Sequence, residues 1–167
     1  LQNALDTTRE RQHLEPSESH KIKVSITNQG DFSEFEISDH GCGMDTKIIR
    51  DFFLCIGSSF RCSKQWATQF STEQQSQVNR SGRFGIGMLA GFILGDEIEV
   101  ITRRFNLHED NHAIRFKFTL DSGLIQINKI APSSTHIGTN IKIKAKQKTY
   151  ERLKNNPAIW QWYYQLD

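Results

Sequence analysis

Residues 39–44, DHGCGM, combine an acidic side chain with two glycines directly after a short run of alternating apolar residues. Gly41 and Gly43 lack side chains, so a flat ring could approach the backbone closely. The carboxylate of Asp39, at a predicted strand end, could accept a charge-assisted hydrogen bond from an exocyclic amine. Met44 would supply a polarisable apolar wall for such a ring. A glycine turn that ends a hairpin strand has the same residues, so the hexapeptide leaves both interpretations open.

A second glycine cluster, GRFGIGM at 82–88, leads into an apolar stretch. Gly82, Gly85 and Gly87 form a G-x-x-G-x-G pattern, in which backbone N–H groups can point at an anion. The N-terminus of a following helix would add its partial positive charge. The pattern is neither the dinucleotide fingerprint nor a P-loop, which requires Lys followed by Ser or Thr. It favours phosphate binding, although a purely structural turn would use the same glycines.

Two further pairs of residues have suitable chemistry for the same kind of site. Asn3 and Asp6 are three residues apart in a predicted helix and therefore share a face. An amide oxygen and a carboxylate on one face suit Mg²⁺ and its water shell, but two solvated helix residues have the same spacing. Gly138 and Thr139 open a predicted strand, where the Thr139 hydroxyl could enter a site.

Composition limits the class of protein. The chain has 167 residues, with 21 basic against 19 acidic side chains and a formal net charge of +2, so charge alone does not argue for nucleic-acid binding. No apolar run approaches the roughly 18 residues of a membrane-spanning helix, and we expect no membrane partner. The three cysteines are odd in number and lack a C-x-x-C pair, which fits free thiols in a reducing cytosol and predicts a cytoplasmic protein.

Hydrophobic periodicity predicts the elements that would position these residues. Residues 1–14 read as the end of a helix, and an amphipathic helix is expected from about 45 to Gly57. Residues 58–81 are polar without a clean period, which indicates a functional loop or disorder. An apolar helix should follow the second glycine cluster, and another short helix the last strand. Alternation predicts strands at 21–27, 32–38, from about 97, 113–120, 124–130 and 139–146.

The order of these elements predicts the fold class. Helices are not interleaved one-for-one with strands, so we expect an α+β, two-layer α/β sandwich. Its sheet would be mixed but mostly antiparallel, with helices on one face. Residues 1–150 would form one domain, and 151–167 a short helix and an aromatic-rich tail leading to a downstream region. Because the chain starts in what reads as mid-helix, we expect an N-terminally truncated piece of a longer protein.

Taken in order along the chain, these motifs resemble the GHKL ATPase superfamily, whose domain is the Bergerat fold. Its members include gyrase B, heat-shock-90 chaperones, histidine kinases and MutL. The resemblance covers the chain to about residue 146. The stretch GRFGIGMLAGFILGDEIEVITR looks most like the heat-shock-90 branch. IGSSFR, at 56–61, is similar to the segment that opens the lid in that branch, and also to the MORC ATPases.

The resemblance implies a role for each motif. Asn3 would coordinate Mg²⁺, and Asp6 would line the pocket near it. Asp39 would accept from the adenine amino group, helped by a bound water and Thr139. Residues 58–81 would be the ATP lid. The ATP-binding residues implied in this way are Asn3, Asp6, Asp39, Gly43, Met44, Gly82, Phe84, Gly85, Ile86, Gly87 and Thr139.

The resemblance does not supply a catalytic residue. In the family, the general base is a Glu four residues before the Mg²⁺-binding Asn, and that position would lie two places before Leu1. A general base must be within hydrogen-bond reach of the attacking water. We therefore expect the chain to bind nucleotide and to hydrolyse it very weakly, whereas a longer parent would be an ATP hydrolase.

The implied function is the Mg²⁺·ATP-binding domain of a heat-shock-90-like, chaperone-type ATPase. Protein clients and ATP-dependent dimerisation of the parent would follow from that resemblance. Two alternatives stay open: the ATPase clamp of a MORC- or MutL-like protein that acts on DNA, and a non-hydrolysing nucleotide-binding module used for interaction. A basic or nuclease region downstream would favour the first alternative, and an absence of nucleotide binding would exclude both ATPase functions.

Overall fold

The computed structural model describes residues 1–18, 20–55, 57–72, 75–76, 87–105 and 112–155. Single turns of other helix types occur at Ile49–Phe53 (π), Phe60–Cys62 (3₁₀) and Pro132–Ser134 (3₁₀). The α-helices are α1 Gln2–Leu14, α2 Thr46–Ile48, α3 Lys64–Phe70, α4 Gly87–Gly91 and α5 Gln147–Asn155. The strands are β1 Ile22–Asn28, β2 Ser33–Asp39, β3 Ser71–Thr72, β4 Gln75–Ser76, β5 Gly95–Arg103, β6 Ala113–Thr119, β7 Asn128–Ile130 and β8 Gly138–Ala145.

Six of the strands form one sheet in the order β1-β2-β8-β5-β6-β7. Each neighbouring pair runs antiparallel. Strand β8, the last in the chain, lies between β2 and β5. This arrangement brings the end of β2 beside the start of β8 and the end of β5, which are remote in sequence.

The two faces of the sheet differ in polarity. The core face carries a buried cluster from four strands and the π-turn, and Phe53 meets the rings of Phe116 and Phe118 edge-on at 5.9 and 6.4 Å between centroids. Because one face packs under helical segments, the predicted two-layer α+β fold is confirmed. The main buried members of the cluster are Phe35, Ile49, Ile98, Val100, Phe116, Phe118 and Ile143.

The opposite face is a ladder of alternating charge. Glu36, Lys142, Glu99 and Lys117 are successive cross-strand partners on β2, β8, β5 and β6. Lys142 also donates to Glu34 at 2.8 Å, and this hydrogen bond raises the pKa of the Lys142 ammonium group. Opposite charges in adjacent positions stabilise such a face modestly and keep it solvated.

The helix predicted after DHGCGM occurs at the expected place but not with the expected type. Asp45 caps α2 by accepting from the Ile48 N–H at 2.7 Å. The chain then widens into a π-turn, in which the Leu54 N–H donates to the Ile49 carbonyl at 2.9 Å. The wider turn lets both Ile49, which is fully buried, and Phe53 reach the aromatic core.

Residues 60–70 of the stretch predicted as a functional loop or disorder have regular secondary structure. These residues form a 3₁₀ turn and α3, and Trp66 and Phe70 are buried. Residues four apart share a helix face, so two large rings suffice to anchor a polar helix against Cys42. Residues 73–74 and 77–81 of the predicted lid lie outside the described ranges.

Element boundaries differ elsewhere for local reasons. Strand β7 is shorter than the predicted 124–130, because Leu124 is exposed and only 128–130 pair with β6. Residues 82–86 and the aromatic tail at 156–167 fall outside the described part of the chain. Where the chain is described, we find no helix with the length and apolar character needed to cross a membrane.

Two isoleucines close in sequence, one buried on the core face and one exposed, allow a matched test of the core. Ile98 is buried at 2% exposure, whereas Ile93 is 82% exposed. Ile98→Ala should lower the free energy of unfolding by about 2–5 kcal/mol, since it removes transfer energy and leaves a cavity. Ile93→Ala should change it by less than about 0.5 kcal/mol. Urea unfolding followed by circular dichroism measures both, and equal losses would contradict the assigned faces.

Candidate adenine-nucleotide site

Three polar residues form a row across the sheet where its core face would otherwise be apolar. Asp39 on β2 pairs with Thr139 on β8, and Thr139 pairs with Thr102 on β5. Cross-strand partners point to the same face, so the three side chains lie side by side. All three are buried, at 5%, 6% and 0% exposure respectively. A buried polar row of this kind requires hydrogen-bond partners.

The Asp39 carboxylate is held in a fixed direction by backbone groups. Its Oδ1 atom accepts from the Gly41 N–H at 2.9 Å and from the Thr139 N–H at 3.3 Å. Hydrogen bonds to an ionised acceptor are stronger than neutral ones, and they stabilise the charged form of a buried carboxylate. The structure therefore fixes the direction of the Asp39 carboxylate at the strand end, and its role towards a ligand stays a prediction.

The loop that follows Asp39 is pinned by contacts from four directions. The Cys42 N–H donates to Thr7 Oγ1 at 3.0 Å, and the Cys42 carbonyl accepts from the Phe105 N–H at 2.9 Å. Arg104 donates to the Gly43 carbonyl at 3.0 Å. The Met44 N–H donates to Thr102 Oγ1 at 2.9 Å. The loop is consequently held in one conformation by contacts within the protein.

The glycines of this region are required for close packing of the protein itself. Gly43 has φ +62°, and a side chain there would overlap the Arg103 carbonyl. A side chain at Gly41 would overlap Thr7 of α1, and one at Gly138 would overlap the Asp39 carbonyl. From the sequence, the lack of side chains at Gly41 and Gly43 was interpreted as room for a bound ring. In the structure, helix α1 and strand β5 occupy the positions that side chains at these two glycines would take.

Helix α1 brings its first turns to the same region. Thr7 of α1 accepts from the Cys42 N–H at 3.0 Å and would be overlapped by a side chain at Gly41, so α1 lies beside the loop that follows Asp39. Asn3 is exposed, whereas Asp6 is buried at 1% exposure. Within the described residues, no group of three or more His, Cys, Asp or Glu side chains could hold a metal ion.

The described part of the predicted lid is anchored to α1. Trp66 of α3 is 2% exposed, and its Nε1–H donates to Glu10 Oε1 at 2.8 Å. Its ring also packs beside Phe70 at 5.3 Å between centroids, and both rings belong to a cluster with Cys42. Cys42 thus lies between the Asp39 loop and the start of the predicted lid.

The structure describes only part of the predicted phosphate-binding turn. Gly87 begins α4, and Gly82, Phe84, Gly85 and Ile86 fall outside the described residues. Met44 is partly buried against the core cluster, directly after the pinned loop. The predicted residues that the structure brings together are therefore Asp39, Gly43, Met44 and Thr139, with α1 beside them.

Sequence reasoning missed Thr102. The signal was present in the alternation of β5, because Ile98 and Val100 are apolar at every second position and Thr102 continues that face. A polar residue on an otherwise apolar strand face needs a partner at the same level of the sheet. That partner, Thr139, is 37 residues away in sequence, so the pairing was visible only after folding.

Comparison with known proteins gives the family of this domain. The family described as histidine kinase-, DNA gyrase B-, and HSP90-like ATPase matches residues 3–149. The chain belongs to this ATPase family. Membership implies ATP binding and agrees with the α+β fold, while the roles of individual residues stay predictions.

The curated relatives of this ATPase domain include bacterial proteins named chaperone protein HtpG. The protein from Wolbachia pipientis is 29% identical over 95% of this chain and 30% of its own length. The protein from Cupriavidus taiwanensis is 31% identical over 75% of this chain and 19% of its own length. The protein from Acinetobacter baylyi is 25% identical over 85% of this chain and 21% of its own length. The chain thus spans less than a third of each of these relatives.

A histidine pair lies directly behind Asp39 in this ATPase domain. The rings of His40 and His136 are 4.5 Å apart between centroids, and His136 Nε2 is 2.9 Å from the Asp39 carbonyl. A carbonyl only accepts, so Nε2 of His136 carries the proton. Burial lowers the pKa of His40, and the positive charges of His136, His20, Lys21 and Arg11 lower it further.

The lowered pKa of His40 predicts a dependence of stability on pH. The unfolded chain takes up this proton near the ordinary value of about 6.5, before the folded chain does. The free energy of unfolding should therefore be level above about pH 6.5 and fall as the pH drops below it. His40→Gln should make this fall shallower in urea unfolding between pH 8 and pH 5. At pH 8 the difference in unfolding free energy between His40→Gln and the wild type measures the packing cost of the substitution. Parallel plots of unfolding free energy against pH for the two proteins would contradict the prediction.

Proposed function

We propose that this chain is the nucleotide-binding domain of a heat-shock-90-like, chaperone-type ATPase, which binds ATP together with Mg²⁺. The observation that carries the proposal is the buried Asp39 carboxylate, oriented by two backbone N–H groups at a strand end. Ionised carboxylates accept up to about four hydrogen bonds, so this arrangement is compatible with binding an exocyclic amine. A base with a carbonyl oxygen at that position would be repelled.

The remaining contacts of the base would come from the row and the pinned loop. Thr139 lies beside Asp39 and offers a hydroxyl group, while Gly43 and Met44 would flank the ring. Because the loop already uses its backbone groups within the protein, little ordering would be needed on binding. This preorganisation favours a rigid, flat ligand over a flexible one.

We propose that Mg²⁺ and the phosphates bind near α1 and α4. Nucleotide-bound Mg²⁺ usually takes one or two oxygen ligands from the protein and the rest from phosphates and water. Asn3 has this chemistry on an exposed first turn and would hold the ion, with Asp6 lining the pocket nearby. When bound, the ion neutralises phosphate charge. The backbone contacts to phosphate would come from Gly82, Phe84, Gly85, Ile86 and Gly87.

The chaperone branch is proposed from the names of the relatives. HtpG proteins are named as chaperones, and the resemblance of the sequence extends through the second glycine cluster. Protein clients, ATP-dependent dimerisation and the rate of hydrolysis concern the longer protein. For these 167 residues, the proposed activity is nucleotide binding.

Asp39→Asn is the decisive substitution. Asparagine keeps an oxygen that can accept from Gly41 and Thr139, but its amide NH₂ would oppose the adenine amino group, donor against donor. Affinity for ADP with Mg²⁺ should fall at least tenfold, equivalent to about 1.4 kcal/mol. Isothermal titration calorimetry with ATP and ADP measures it.

Asp121→Asn is the matched control, because Asp121 is exposed after β6. This control should bind as the wild type does, and thermal melts should show that both variants are folded. Unchanged affinity in Asp39→Asn would disprove the adenine assignment. No binding by the wild type at millimolar nucleotide would disprove the proposed function.

A further inference from the structure

The Thr102 hydroxyl has three hydrogen-bond neighbours but only one proton to donate. The side chain is fully buried on the core face of β5. Its Oγ1 atom is 2.9 Å from the Met44 nitrogen, 3.0 Å from the Gly138 carbonyl and 3.1 Å from Thr139 Oγ1. These three neighbours all belong to the region around Asp39.

The position of the hydroxyl protons follows from what each neighbour can do. The Met44 N–H only donates, so it occupies one lone pair of Thr102. The Gly138 carbonyl only accepts, whereas Thr139 Oγ1 can do either. If Thr102 donates to Gly138, then Thr139 donates to Thr102 and presents only lone pairs outward. If Thr102 donates to Thr139, the Thr139 proton points away from Thr102 and is available to a ligand.

We propose that Thr102 is a positioning residue for the nucleobase, because its hydroxyl sets whether Thr139 acts as a hydrogen-bond donor or acceptor beside Asp39. The inference rests on the proposed function, since it requires a base at Asp39. It adds a residue that does not itself touch the base and that acts through its neighbour. Thr102 also hydrogen-bonds to Met44 and Gly138, which are the sequence neighbours of Gly43 and Thr139.

Adenine selects one of the two proton arrangements. Its amino group donates, and the adjacent ring nitrogen N1 accepts. Asp39 meets the amino group, so N1 requires a hydrogen-bond donor beside it. Thr139 supplies that donor only when Thr102 donates to Thr139. Successive hydroxyl groups in such a chain polarise one another, which strengthens the final bond to the ligand.

The test compares ADP with 1-deaza-ADP, in which N1 is replaced by C–H. Calorimetry on the wild-type chain should show a preference for ADP of about tenfold, the value of one good hydrogen bond. Thr102→Val removes the hydroxyl at nearly constant volume and should reduce that preference to less than about threefold, since no donor at residue 102 then holds the Thr139 oxygen with its proton towards the base. Thr102→Ser keeps the hydroxyl and should keep the preference.

The ratio of the two affinities separates positioning from simple packing. A purely structural role of Thr102 would weaken ADP and 1-deaza-ADP by the same factor, and an unchanged ratio in Thr102→Val would overturn the inference. Absence of a preference in the wild type would overturn it too. If the valine variant fails to fold, Thr102→Ala is compared in the same way, and Thr139→Val should abolish the preference independently. Thr27→Val, an exposed position on β1, is the matched control and should behave as wild type.

The outcomes also distinguish this inference from the proposed function. Suppose that ADP binds and that Asp39→Asn weakens its binding, but that substitutions of Thr102 leave the ratio of ADP to 1-deaza-ADP affinity unchanged. Only the role of Thr102 is then wrong. If ADP does not bind the wild type, or binds without regard to Asp39, the adenine site and the role of Thr102 both fail.

Discussion

The site depends on one structural constraint, the insertion of β8 between β2 and β5. Two antiparallel ladders fix the register of β8, and they align Asp39, Thr139 and Thr102 in one row. A slip of one residue would turn Thr139 to the charged face and put Gly138 or Asn140 in its place. The pairing that completes the sheet therefore also brings together the three side chains of the proposed site.

The row is supported by a second layer of contacts that leave little freedom to the backbone. Thr7, Arg104, Phe105 and Thr102 each bind a backbone group of residues 42–44. Glycines permit these approaches, since side chains at Gly41 and Gly43 would overlap α1 and β5. The result is a rigid floor, beside which α3 is anchored through the buried Trp66–Glu10 bond.

Local patterns predicted the elements well where one strand face is buried. Alternation found β1, β2, β6 and β8 to within one or two residues, because their side chains meet solvent on one face and the core on the other. It overestimated β7, where residues 124–127 pair with no strand in the described part of the chain. The π-turn and α3 were not predicted, because both depend on aromatic side chains finding distant partners. Trp66 looked isolated in a polar sequence, yet it is buried against α1.

The sequence by itself determined the fold class and the strands with alternating faces. It also singled out Asp39 as the acidic residue of a glycine loop, within a series of motifs that resembles the ATPase family. Those properties are local, or depend on the order of motifs along the chain. Only the tertiary structure decided that Asp39 shares a row with Thr139 and Thr102, and that Gly41 and Gly43 serve packing within the protein. The physical reason is that hydrogen bonds between residues 39, 102 and 139 arise from strand register, which no local stretch of sequence encodes.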